Sequence, residues 1–167
     1  MRLLYLLGLL FICFATEKNI AQPLSKLETV GTARLRVLFF DIYTSELKTE
    51  SGEYADGIRP IQLKIVYARN IKSSALIKQT KKEWDAQMVN DSNQWGWINK
   101  LEQIWPDIRS GDTLIFELYN DEKNQFFYNG QAIGNVEDPN FGETFLDIWL
   151  SAKTTRPNIR REILGKN

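Results

Sequence analysis

The chain has 167 residues, 43% hydrophobic and 25% charged, with 20 aromatic side chains (five Trp, six Tyr and nine Phe), a composition that suits one globular domain with a substantial core. Lys and Arg total 21 and so do Asp and Glu, so the overall charge gives no reason to propose nucleic acid or an anionic membrane as the main partner. The sequence has no His and only one Cys, Cys13, which excludes Ser-His and Cys-His nucleophile systems and His-ligated metals.

The N-terminus is typical of a secretory signal. Arg2 provides a short basic region, and residues 3–15 are apolar or small throughout. This run is shorter than the roughly 20 residues that a transmembrane helix needs. We therefore expect a signal peptide over residues 1–21, cleaved after Ala15 or Ala21, and a mature domain over residues 22–167. The mature protein is then expected to be periplasmic or secreted, without a membrane span and without a thiol.

The first half of the mature chain alternates between extended and helical patterns. Residues 27–47 are rich in β-branched, aromatic and aliphatic side chains, which predicts two strands or one long bent strand with a first break at Gly31. Residues 61–67 alternate between apolar and polar side chains and predict a half-buried strand.

Two amphipathic helices are predicted next. Ser73 and Ser74 are candidate N-caps for the first helix, and the second helix is expected to end before Pro106. The apolar stripe of the first helix has a four-residue spacing, and both stripes, including their Trp residues, are expected to pack into the core. The stripes comprise Leu76, Thr80, Trp84 and Met88 in the first helix, and Trp97, Ile98, Leu101, Ile104 and Trp105 in the second.

The second half of the chain returns to strands and then to helices. Residues 113–119 predict a strand, and residues 125–128 and 131–136 flank Asn129-Gly130, the dipeptide that favours a type I′ hairpin turn. Helical periodicity begins again at Phe141, and a last short helix is predicted over residues 157–164, with Gly165 as its C-cap. Because consecutive strands are joined by short turns, we predict antiparallel pairing and an α+β fold in one domain.

Several short stretches, in this order and spacing, resemble the chalcone-isomerase-like family and in particular its exported bacterial members. They are VGTARLR at 30–36 leading to FDIY at 40–43 and Leu47, IRSGD at 108–112, YNG at 128–130 with Ile133-Gly134, residues 141–150 containing FLDIWL at 145–150, and IRREILG at 159–165. The resemblance covers about residues 27–165. It implies an open-faced β-sandwich, in which an antiparallel sheet is covered on one face by helices. A cleft between the two layers is also implied.

The resemblance does not extend to the residues that carry out isomerisation. The family's catalytic members use an Arg from an early strand, which falls on Leu35 here, between Arg34 and Arg36. They also use a Tyr and an Asn from the first helix and a late Thr or Ser. The first helix here contains no Tyr, and residues 127–129 contain no small hydroxyl. We therefore expect no intact catalytic set, no cofactor and no metal.

Three residues remain as candidates for ligand binding. Arg34 or Arg36 offers a planar fork for a carboxylate, provided that a bulge near Gly31 turns one of them into the cleft, because neighbouring strand residues otherwise point to opposite faces. Tyr43 offers a hydroxyl. We expect a non-catalytic protein that binds a small apolar or amphipathic ligand such as a fatty acid. The alternatives are a cofactor-free isomerase of the chalcone isomerase type, and a structural or partner-binding envelope protein whose cleft is packed shut.

Overall fold

The computed structural model describes residues 21–166, which form six strands and four helices. The strands are β1 (Glu28–Val37), β2 (Phe40–Thr49), β3 (Ile61–Tyr67), β4 (Thr113–Asn120), β5 (Lys123–Tyr128) and β6 (Gln131–Gly134). The helices are α1 (Ser73–Ala86), α2 (Gln94–Ile104), α3 (Phe141–Leu150) and α4 (Pro157–Ile163). The chain order of strands, two helices, strands and two helices is therefore the order that the periodicity predicts.

The sheet is an antiparallel meander in which each strand pairs with the next along the chain, from β1 at one edge to β6 at the other. Three of its turns have only two residues between the strands. Asn129 and Gly130 both have positive φ, at 48° and 81°, as the type I′ turn predicted for this dipeptide requires. Two residues also join β4 to β5, at 121–122, and β1 to β2, at 38–39. The six strands confirm the prediction of antiparallel pairing.

The helices cover one face of the sheet, so the protein is an α+β open-faced sandwich, as predicted. Alternation along β3 shows the two faces: Ile61, Leu63 and Ile65 are buried under the helices, whereas Val66 is exposed on the other side. Aromatic side chains fill the space between the layers, and their rings meet mainly edge to face, the arrangement that aromatic quadrupoles favour. The cluster comprises Trp84, Trp97, Trp105, Phe116, Phe126, Phe141, Phe145 and Trp149.

Three local predictions were wrong. Met88 does not continue the buried stripe of α1, because the helix ends at Ala86 and Met88 takes a left-handed backbone conformation with its side chain exposed. Neither serine caps α1: the N-cap residue is Lys72, and the carboxylate of Asp107, from the loop before β4, accepts a hydrogen bond from the Ser73 amide. Gly31 does not interrupt the strand but lies within β1, beside a register shift.

The signal-peptide prediction falls on residues 1–21, of which all but the last lie outside the described residues. Within residues 21–166, no helix is long and apolar enough to cross a membrane.

Candidate functional site

A cavity of about 330 Å³ lies between the sheet and the helical layer, at the end where β1, β2 and β3 meet α1, α3 and α4. Its wall is mostly aliphatic and aromatic. Nineteen residues line it: Leu35, Val37, Ile42, Tyr43, Ile65, Tyr67, Ile71, Ala75, Leu76, Gln79, Thr80, Glu83, Trp105, Leu114, Phe145, Ile148, Trp149, Arg156 and Ile159. The volume is at the lower end of the range of roughly 300–1,000 Å³ that small-molecule sites occupy. The cleft is therefore not packed shut by side chains.

The sheet supplies two tyrosines to this cavity. Tyr43 and Tyr67 are cross-strand partners in β2 and β3, and their rings meet edge to face with centroids 6.1 Å apart. Burial raises the pKa of both hydroxyls. For Tyr43, a hydrogen bond from Trp149 and the nearby Arg156 charge partly oppose this increase in pKa. Both tyrosines therefore keep their protons at neutral pH and remain hydrogen-bond donors.

Tyr43 is fixed in place from the helical layer. The indole Nε1 of Trp149 in α3 donates a hydrogen bond of 3.0 Å to the Tyr43 hydroxyl oxygen. That bond occupies one lone pair of the oxygen and leaves the hydroxyl proton available. Among residues 21–166, the Tyr43 hydroxyl has no protein acceptor for this proton within hydrogen-bond distance. The site thus presents an oriented O–H donor in an apolar wall.

The helical layer contributes one cation and one anion. Glu83 of α1 is buried, and both of its carboxylate oxygens accept hydrogen bonds of 2.6 Å, one from Gln79 and one from Thr155. Arg156 lies directly before α4 and is half-buried. Within the described part of the chain, no carboxylate oxygen lies within 4.0 Å of its guanidinium nitrogens, and no acceptor is hydrogen-bonded to them. The Glu83 carboxylate is satisfied internally, whereas the Arg156 guanidinium is free to bind an acceptor.

The structure brings Tyr43 to the cavity but leaves the two predicted arginines outside it. Register shifts occur in β1 between Thr29 and Gly31 and between Leu35 and Arg36, yet neither turns a guanidinium inward. Leu35 is buried and lines the cavity, whereas Arg34 and Arg36 are exposed. The Nε atom of Arg36 pairs with Asp41 at 2.6 Å, and the Arg36 and Asp41 side chains are 64% and 40% exposed. Strand alternation around Leu35 accounts for this placement.

Sequence reasoning missed Tyr67, Glu83 and Arg156. Tyr67 was included in a strand, but the alternation pattern does not say which core residues border a cavity. Glu83 lies between Trp84 and two lysines, where a charged residue is expected to be solvated. Arg156 precedes Pro157 at the start of α4, where a cation opposes the helix dipole, and nothing in the sequence directs it to the sheet. Only the tertiary contact between α4 and β1 places it there.

Known proteins resemble this chain both in sequence and in structure. A protein from Haemophilus influenzae (strain ATCC 51907 / DSM 11121 / KW20 / Rd) that has no described function is 26% identical over 157 residues, covering 94% of this chain and 77% of that protein. The crystal structure of a fatty-acid binding protein from Arabidopsis thaliana superposes with a TM-score of 0.67 at 10% identity, covering 87% of this chain and 90% of that one. At this identity the second likeness establishes the fold alone.

A family model described as chalcone isomerase-like matches residues 20–165. This span includes every strand and helix described above as well as all of the cavity wall. The chain therefore belongs to the chalcone isomerase-like family.

Proposed function

We propose that this protein is a non-catalytic binding protein that holds one apolar or amphipathic carboxylic acid, such as a fatty acid, in the cavity between the sheet and the helices. The observation that carries the proposal is the Arg156 guanidinium, which borders an apolar cavity and has no carboxylate partner among residues 21–166. A bidentate carboxylate is the acceptor best matched to a guanidinium.

The remaining groups favour the same orientation of the ligand. The Tyr43 hydroxyl proton and the guanidinium both donate, so an acceptor headgroup would lie between α4 and β2. The alkyl chain would then contact the aliphatic and aromatic wall formed by Leu35, Ile65 and Leu114. Every methylene that enters this wall contributes about 0.8 kcal/mol. The fatty-acid binding relative of the same fold supports this class of ligand.

The isomerase alternative lacks the arginine that the family's catalytic members use. At Leu35, where the resemblance places the family's catalytic arginine, an aliphatic side chain lines the cavity. The α1 residues that face the cavity are Ala75, Leu76, Gln79, Thr80 and Glu83, which include neither Tyr nor Asn. Incubating the purified protein with a chalcone tests this alternative, and a rate equal to the spontaneous cyclisation is the result that a binding protein gives.

We also propose that the protein acts outside the cytoplasm, in the periplasm or the medium. The basic Arg2 followed by the apolar run over residues 3–15 supports this location. Fractionation of the native cells with an antibody to the chain tests it, and the N-terminal mass of the recovered protein identifies the cleavage site.

A fluorescence titration tests the binding proposal, because Trp105 and Trp149 both line the cavity and report on its occupancy. We expect a straight-chain fatty acid to bind more tightly than the alcohol of equal length, by roughly tenfold or more, as a charge-assisted hydrogen bond contributes about 1.5–3 kcal/mol. The Arg156→Gln variant should bind the acid and the alcohol with similar affinity.

The matched control is Arg34→Gln, which removes an exposed arginine from outside the cavity and should leave the preference for the acid unchanged. Equal affinity of the wild-type protein for acid and alcohol would contradict the role of Arg156. If only the Arg34→Gln variant lost the preference for the acid, the carboxylate would be bound by Arg34, as the sequence suggested, and not by Arg156.

A further inference from the structure

The hairpin that joins β1 to β2 ends in an exposed apolar tip. We use the name hairpin tip for four consecutive residues: Val37, Leu38, Phe39 and Phe40. Their exposed fractions are 44%, 84%, 95% and 53%. Isolated apolar residues on a surface need no explanation, but four adjacent ones at the end of a protruding hairpin form a contiguous patch.

The fold does not require these side chains. Leu38 has a φ of 56°, in the left-handed region that glycine and asparagine adopt more readily than leucine. A two-residue turn between paired Val37 and Phe40 would form more easily with Gly in the place of Leu38. Neither Leu38 nor Phe39 belongs to the core cluster. Leu38 therefore adopts an unfavourable backbone conformation, and both Leu38 and Phe39 expose apolar surface to water. Neither residue stabilises the core in return.

Cationic side chains surround the base of the tip. Arg34 and Arg36 are exposed on β1, and the Arg69 guanidinium lies over the Phe40 ring, 4.3 Å from its centroid. Arg109 is exposed in the loop beside them, next to Ser110, whose hydroxyl donates to the carbonyl of Ala68.

The acidic groups at this end are fewer. Asp41 pairs with Arg36, and Asp112 accepts hydrogen bonds from Tyr128 and Asn129. A further ion pair, Lys72 with Asp107, is internally balanced. This end of the protein thus has four guanidinium groups and two carboxylates. Its local charge is therefore positive, although the net charge of the whole chain is zero. Attraction of these groups to an anionic surface would weaken with salt.

The hairpin tip is continuous with the cavity. Val37 belongs to both, since it is exposed at the tip and also lines the cavity wall. Ile42 and Tyr43, which follow Asp41 in β2, continue the cavity wall. Apolar side chains therefore extend from the exposed hairpin tip to the cavity.

We propose that the hairpin tip inserts into the surface of an anionic lipid bilayer, with Leu38 and Phe39 among the acyl chains and the surrounding arginines at the phosphate groups. Apolar side chains at the end of a protrusion with cations behind them match the layering of a bilayer, in which hydrocarbon lies beneath charged headgroups. Docking stands independently of what the cavity holds. The corollary that a ligand passes between bilayer and cavity along Val37 rests on the proposed function.

Vesicle flotation tests the docking. The chain is used in the form isolated from cells, without added ligand, on vesicles of phosphatidylcholine alone and of phosphatidylcholine and phosphatidylglycerol in equal parts. We expect the wild-type protein to bind the anionic vesicles, and the Leu38→Gly/Phe39→Ser variant to bind them at least about tenfold more weakly, since two large side chains no longer enter the hydrocarbon. Because glycine suits the backbone at position 38, the variant should melt at or above the wild-type temperature.

The matched control is Trp95→Ser. Trp95 is 73% exposed on α2, away from the hairpin tip, and its loss should leave vesicle binding unchanged. In the Arg34→Gln/Arg69→Gln variant, affinity for anionic vesicles and its dependence on salt should both fall.

Four results would overturn the proposal: no binding by the wild-type protein, undiminished binding by the tip variant, an equal loss in Trp95→Ser, or unchanged salt dependence in the arginine variant. A wild-type dimer that the tip variant converts to a monomer, with no vesicle binding, would show instead that the tip contacts a second copy of the chain. A ligand-binding cavity without vesicle binding would reject the docking and leave the proposed function intact.

Discussion

At the scale of single residues, the proposed ligand binding depends on Tyr43 and Arg156, whose polar groups differ from the apolar side chains around them. Both contribute polar groups to an apolar wall, and each arrives from a different layer of the sandwich. Tyr43 is anchored by Trp149, so its hydroxyl is oriented before any ligand enters. Arg156 has no carboxylate partner among residues 21–166, whereas the nearby Glu83 has two hydrogen-bond donors of its own. The proposed site therefore combines one donor that is already held in place with one cation that has no carboxylate partner among residues 21–166.

The Trp149–Tyr43 hydrogen bond should be measurable in stability. In the Tyr43→Phe variant the indole N–H loses its acceptor while it stays largely buried, so we expect the free energy of unfolding to fall by about 1–3 kcal/mol. Urea denaturation followed by circular dichroism measures it. The matched control is Tyr54→Phe, which removes a hydroxyl bonded only to the exposed Asp56 and should change stability by less than about 0.5 kcal/mol. Equal losses in both variants would show that the buried bond contributes nothing.

At the scale of elements, the position of α4 decides which cation reaches the cavity. α4 packs on β1. At Gly31 the two elements come so close that no side chain would fit between them. A Cβ at Gly31 would overlap the carbonyl oxygen of Glu162 and lie 2.7 Å from that of Ile163. These are backbone atoms, which a rotamer change cannot move. Gly31 therefore permits the close approach of β1 and α4, and Arg156 precedes α4 directly.

A pair of Gly→Ala variants tests this contact. Gly31→Ala should lower the free energy of unfolding by about 1–3 kcal/mol, since β1 and α4 must separate to admit the methyl group. It should also weaken fatty-acid binding, because Arg156 moves with the helix. Gly96→Ala is the control: in the described part of the chain, no other element lies within 4 Å of the position that its methyl group would take, and α2 should gain up to about 1 kcal/mol from the better helix former. Unchanged stability in Gly31→Ala would mean that α4 is not held against β1 as described.

The elements themselves were predictable because their signals are local. Period-two alternation identified β3, the Asn129-Gly130 dipeptide identified the last hairpin, and Gly165 marked the end of α4 with its φ of 66°. The errors came from long-range contacts. The carboxylate that meets the first turn of α1 is Asp107, 34 residues beyond Ser73 in the chain. Sequence periodicity carries no information about such a partner.

The candidate site was only partly predictable for the same reason. Tyr43 could be assigned because it lies in a strand that the family resemblance places beside the cleft. Arg34 and Arg36 have the right chemistry, but strand alternation directs Leu35 inward and both guanidinium groups outward. The guanidinium that does reach the cavity comes from a position 113 residues beyond Tyr43, before a seven-residue helix. Its location follows from tertiary packing of α4, which the sequence does not reveal.

At the scale of the whole molecule, two apolar features lie at the same end of the sandwich. The cavity is internal and of a size for one small ligand, whereas the hairpin tip is external and flanked by arginines. Neither feature is visible in the overall composition, because the total charge is zero and the aromatic residues serve mostly to fill the core. Their proximity links the two proposals, because a ligand held in the cavity would lie at the end of the protein that is proposed to contact a lipid surface.

The measurement that tests fatty-acid binding most directly is native mass spectrometry of the delipidated protein after incubation with a mixture of a fatty acid, the fatty alcohol of equal length and a phosphatidylcholine. We predict one added fatty acid per chain, because a cavity of about 330 Å³ suits a single chain and Arg156 selects the carboxylate. The Arg156→Gln variant should retain acid and alcohol equally. A wild-type protein that retains no ligand, or that retains the alcohol or the phospholipid in preference to the acid, would contradict the proposed function.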